Sequence, residues 1–154
     1  MPNSDELSAA AMQAAVDVIA AFGSHDTARY FAGFAPEATF LFHAEPALLP
    51  SRAAYEELWA QWEREGFRVL SCRSVNPRLD LVTDDVAVFT HWVRTRLAGV
   101  DEEQRERETI VLRRGADGRW LGVHEHLSLD SATDVDALVD EDGADRVDLG
   151  VHQR

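Results

Sequence analysis

The sequence predicts an α+β fold, a curved sheet that is antiparallel or mixed, with three helices on one face. Two observations carry that expectation. The first 65 residues place apolar side chains at helical spacing, interrupted by one short aromatic strand. After Gly66 the chain changes to long runs of β-type composition separated by turn residues. Three helices around one strand, followed by a meander, leave a sheet whose one face the helices must cover. With 154 residues, one core is favoured over two.

The elements follow in order. Ser4 is the expected N-cap of the first helix, with Asp5 and Glu6 in the turn where the dipole favours acids. Leu7, Ala11, Ala14, Val18 and Phe22 form its apolar stripe, and Gly23 ends it. A short second helix is expected over 26–34, with Tyr30, Phe31 and Phe34 inward. Pro36 closes it and opens a strand over 38–43. Ser51 caps a third helix in which Tyr55, Leu58, Trp59 and Trp62 fall at i, i+3, i+4 and i+7. Strands are expected over 67–81, 86–97, 108–114 and 119–127. The turns are Thr83-Asp84-Asp85 and Gly115-Ala116-Asp117-Gly118.

Composition removes several function classes. The net charge is −13, which repels phosphate backbones and anionic lipid, so neither nucleic acid nor membrane is an expected partner. All 15 cations are Arg, so lysine Schiff-base chemistry is impossible. One cysteine, Cys72, permits neither an internal disulfide nor a cysteine-based zinc cluster. The acidic N-terminus and the lack of an unbroken apolar run of about 18 residues point to a cytoplasmic protein. Residues 129–154 carry eight acids and two Arg with no aromatic residue, and read as an acidic, disordered tail after a domain at 4–128.

Local motifs add a resemblance. Glu37-Ala38-Thr39-Phe40 leading into the first strand and Ser51-Arg52 opening the third helix resemble the nuclear-transport-factor-2-like superfamily. So does the ending Arg107-Glu108-Thr109 … Asp117-Gly118-Arg119-Trp120 … His124-Glu125-His126-Leu127-Ser128. That group includes ketosteroid isomerase, SnoaL-like polyketide cyclases, limonene-epoxide hydrolase and the kinase association domain. The resemblance implies a cone-shaped sheet enclosing an apolar pocket with the helices. Aligned without gaps, the isomerase's general-base Asp falls on Phe42, its oxyanion Tyr on Val18 and its protonated Asp on Ile110. A mechanism that needs three acids at those positions is not expected here.

Strand parity proposes a replacement. A four-residue turn after Arg114 sets Glu108 opposite Glu125 and Ile110 opposite Val123. The link 98–104 then sets Arg94 opposite Glu108 and Trp92 opposite Ile110. One face therefore carries Trp92, Arg94, Glu108, Ile110, Val123, Glu125 and Leu127, which the isomerase comparison makes concave. A single bulge would invert it. Glu108, Glu125 and Arg94 are the candidate catalytic groups, with His43 at the entrance. Phe42, Tyr55 and Trp59 join the lining. Two readings of the charged trio stay open: acid–base groups acting on a small molecule, or a buried ion-pair ladder fixing register. His91, Arg107, Thr109, Trp120, His124 and His126 fall on the other face, which suits a homodimer interface better than a metal site, because a third ligand is missing. The expected function is a small-molecule protein needing no cofactor or metal. It is either an acid–base enzyme (cyclase, isomerase, dehydratase or epoxide hydrolase) or a non-catalytic binding or assembly module.

Overall fold

The computed structural model describes residues 1–130; the acidic segment from 131 onward lies outside the described residues. The elements are α1 (Ser4–Gly23), α2 (Thr27–Ala32), β1 (Phe34–Phe42), α3 (Arg52–Arg64), β2 (Val69–Thr83), β3 (Val86–Leu97), β4 (Gln104–Arg114) and β5 (Trp120–Leu129). The sheet order is β1-β5-β4-β3-β2. The β1–β5 pair is parallel and the others are antiparallel, so the sheet is mixed.

Caps set the helices. Asn3, one residue before the expected Ser4, accepts from Glu6 N and starts α1. Asp26 and Ser51 accept from Arg29 N and Ala54 N to start α2 and α3. Leu7, Ala11, Ala15, Val18 and Ala21 are the buried stripe of α1. Their small side chains let α1 lie close on β2: a Cβ on Gly23 would sit 3.1 Å from Cys72 Cβ. By length and composition α1 could cross a bilayer; here its stripe packs on the sheet.

β1 starts four residues earlier than expected and contains Pro36. An edge strand tolerates a residue that cannot donate to the ladder. Its first pair is Phe34↔Gly122, where a Cβ on Gly122 would lie 2.6 Å from Phe34 Cδ1. Glycine is needed there for the backbone approach. Between the sheet and the helices lies an aromatic core of Tyr30, Phe31, Phe34, Phe40, Phe42, Tyr55 and Trp59. Its ring centroids approach to 4.6 Å in the Phe40–Tyr55 pair.

Register departs from expectation at two places. Thr95 pairs with Gln104, β3 runs on to Leu97 against β2, and the link is 98–103, with Gly99 at φ +76°. His91 therefore faces Glu108, while Trp92 faces Arg107 and Arg94 faces Arg105. This odd offset inverts the parity of β3, bringing His91 to the helix side and sending Trp92 and Arg94 to the outer side. In β5, a bulge between Val111 and Leu112 leaves Val123 unpaired, because Val111 pairs with His124 and Leu112 with Gly122. Beyond it Leu121 pairs with Arg113 on the outer side, and Trp120 enters the core instead of the outer face. Glu125 pairs with Ile110 and Glu108 with Leu127, a two-residue slip that keeps all four on the expected face. Bulges in β2 near Leu70, Asn76 and Val82 further bend the sheet around the helices.

Candidate functional site

Helices and strands converge on a buried polar chain. From α3, the Tyr55 hydroxyl lies 3.0 Å from the Tyr30 hydroxyl on α2. Tyr30 donates to Glu125 Oε1 of β5 at 3.1 Å. Glu125 is hydrogen-bonded to Glu108 of β4. Glu108 Oε1 meets His91 Nε2 at 2.6 Å, and His91 Nδ1 meets Ser74 Oγ of β2 at 2.6 Å. Glu108, Glu125 and His91 are only 7%, 3% and 2% exposed.

Two touching carboxylates cannot both be ionised in such a setting. Burial pushes both carboxyls up, and the Glu108 charge and hydrogen bond raise Glu125 further, well above the usual range. The pair shares one proton, and because Glu125 is raised the further of the two, it is the group expected to hold that proton and donate it to Glu108. Burial pulls His91 down to about 4, so the imidazole is neutral. The bonding pattern then assigns its proton to Nε2, donated to Glu108, with Nδ1 accepting from Ser74. Burial, then the negative charge of the adjoining Glu125–Glu108 pair, raises both phenols, which stay protonated. Tyr30 spends its one hydrogen on Glu125, so the hydrogen between the phenols is Tyr55's. Each hydrogen in the chain is thus directed toward the carboxyl pair.

Two cavities meet at this chain. A small one of about 30 Å³, the size of one water molecule, touches Tyr30, Glu108, Glu125, Cys72 and Thr95. A larger one of about 420 Å³ opens at the mouth, between the loop after β1, the end of α3 and the β3–β4 link. Phe22, Tyr55, Glu106 and Leu127 line both. His43 stands in the mouth with Nε2 2.6 Å from Glu106 Oε2.

Of the expected site residues, Glu108 and Glu125 come together at the inner cavity. Phe42, Tyr55, Leu127 and His43 line the mouth. Arg94 does not join them. It lies on the outer side, 1% exposed, with Nη2 2.9 Å from Asp130 Oδ2. Trp92 lies beside Arg107 on that outer face, and Val123 is the bulged residue. Trp59 and Ile110 are core: Trp59 Nε1 donates to Thr27 Oγ1, and Ile110 is fully buried under Gly122. The acid–Arg–acid row is thus replaced by Tyr–Glu–Glu–His. Sequence reasoning missed Tyr30, His91 and Glu106 as site members. Tyr30 had a signal, as a hydroxyl on an inward helical stripe; His91 had none, because its face depends on one residue of loop length. Burial raises the Cys72 thiol to about 12, so it is no nucleophile. Among the described residues no three His, Cys, Asp or Glu side chains are grouped to hold a metal, and His124 Nδ1 bonds to Thr39 Oγ1.

A family model described as a SnoaL-like domain matches residues 11–131. A ketosteroid isomerase-like protein from Erwinia carotovora atroseptica is 19% identical, with a TM-score of 0.70 over 82% of this chain and 98% of its own. ActVI-ORFA from Streptomyces coelicolor is 20% identical, with a TM-score of 0.62 over 79% and 96%. An NTF2-like protein of unknown function from Pseudomonas putida is 17% identical, with a TM-score of 0.70 over 96% and 99%. At these identities the solved structures show the fold, a nuclear-transport-factor-2-like cone. No curated protein matches the sequence.

The proton on Glu125 has a measurable consequence. Its folded value lies above the ordinary 4.5, so the stability it contributes is whole below that pH and is lost as pH rises through the folded value. Glu125→Gln keeps a donor for Glu108 and an acceptor for Tyr30 but cannot ionise. In thermal melts, the variant's melting temperature should gain on the wild type steadily as pH rises above about 4.5. A gap that does not grow with pH would contradict a protonated Glu125.

Proposed function

We propose that this protein, which belongs to the SnoaL-like domain family, binds a small organic molecule in the mouth cavity and takes a proton from it. The observation that carries this reading is the continuous hydrogen-bond chain from Tyr55, on the cavity wall, to the Glu108–Glu125 pair. The ligand's proton passes to the Tyr55 oxygen as Tyr55 hands its own to Tyr30 and Tyr30 hands its own to the carboxyl pair. The pair carries one negative charge and has raised proton affinity, which suits it as a terminal base. The return of the proton at a second position completes an isomerisation or cyclisation. His43 and Glu106, hydrogen-bonded at the mouth, form a second acid–base pair able to act there. Steroid isomerisation by a β1 aspartate is not the reaction proposed, since Phe42, Val18 and Ile110 are buried and apolar.

Solvent exchange tests this. A panel of enolisable aromatic ketones is incubated with the protein in D₂O, with binding scored by saturation transfer and deuterium uptake by proton NMR. Bound members should exchange, and Tyr55→Phe should slow exchange by about 10²-fold or more while binding persists. Members that bind without exchange, or a Tyr55→Phe protein that exchanges normally, would refute the relay.

The partner is proposed to be a second copy of the chain, meeting on the outer sheet face. That face, uncovered by helices, carries Trp92, Arg107, Thr109 and His126 around a shallow groove of about 320 Å³. Light scattering at micromolar concentration should give twice the 17.2 kDa chain mass; a 17.2 kDa species alone would contradict the dimer.

A further inference from the structure

We infer that the mouth cavity selects a hydrophobic amine, a molecule joining an apolar ring or chain to one protonated nitrogen, over the corresponding alcohol or acid. The inference rests on the reading of this cavity as the ligand site and goes beyond it to ligand charge. Its body is apolar and aromatic, with Phe22, Phe42, Trp62 and Phe67 around about 420 Å³, room for a compact ring system. Its charged side chains are three acids, Glu45, Glu65 and Glu106. Among the described lining residues there is no Arg, and the chain contains no Lys. The one basic group, His43, is already engaged with Glu106.

Hydrogen-bond direction points the same way. The three carboxylates are acceptors, and Tyr55, whose hydrogen goes to Tyr30, adds no donor. Glu106 is the most sequestered of them on the shared wall, its side chain 12% exposed. A carboxylate or phosphate ligand would meet acceptors and like charge and would leave them unpaired. An ammonium would supply up to three donors, sit against aromatic faces that attract cations, and be drawn in by a protein of net charge −13.

The probes are a matched trio, 2-phenylethylamine, 2-phenylethanol and phenylacetate, titrated calorimetrically into the full chain at neutral pH. The amine should bind at least about 10-fold tighter than the alcohol, with the acid weakest. A Glu65→Gln/Glu106→Gln protein with retained circular dichroism should bind amine and alcohol within about threefold of each other. If that protein fails to fold, Glu45→Gln at a half-buried position with Glu65→Gln at an exposed one should still narrow the preference. Phenylacetate binding as tightly as the amine, no preference within the trio, or no binding of any member would overturn the inference. Amine preference without deuterium exchange in the ketone panel would refute the proton relay and leave the charge selection standing.

Discussion

Everything in the site depends on two carboxyls sharing one proton beneath the helices. An unpaired ionised carboxylate there would cost several kcal/mol. Glu108 and Glu125 offset that cost by bonding to each other and to one further partner each, Tyr30 on Glu125 and His91 on Glu108, with Ser74 behind His91. The constraint propagates outward. Tyr30 must donate to Glu125, so Tyr55 must donate to Tyr30, so Tyr55 has no hydrogen left for the cavity. Local proton arithmetic in the core thereby sets the polarity of a surface some residues away.

The helices do more than cover the sheet. α2 is six residues long, held at its start by Asp26 and closed at Gly33 against Val18, and that placement aims Tyr30 at β5. α3 supplies Tyr55 at a position where its ring packs on Phe40 and Phe42 while its hydroxyl reaches Tyr30. Each tyrosine is half core and half site, which is how an aromatic core and a proton chain occupy the same volume.

The fold was legible because it rests on patterns that survive small errors. Ser51, the Tyr55–Trp59–Trp62 stripe, the turn at Gly115–Gly118 and the element order all lead to the observed architecture. The site was legible only in part. Glu108 and Glu125 were found because a two-residue slip between β4 and β5 leaves faces unchanged. Arg94 and Trp92 were misplaced because the β3–β4 link differs by an odd number from the expected one, and parity has no tolerance for odd errors. Trp120 moved into the core and Val123 out of the ladder through one bulge that no turn residue announces. The cost of burying Glu108 was a sound clue that a partner existed; its identity, His91, needed the register.

One carboxylic acid is expected to persist in the core at neutral pH, on Glu125. Infrared difference spectroscopy on protein carrying ¹³C-carboxyl glutamate addresses it directly. At neutral pH the spectrum should show one protonated carboxyl C=O band that shifts with the label, titrates only well above the usual carboxylate range and vanishes in Glu125→Gln. A spectrum at neutral pH with no protonated carboxyl, or with a band that survives Glu125→Gln unchanged, would contradict it.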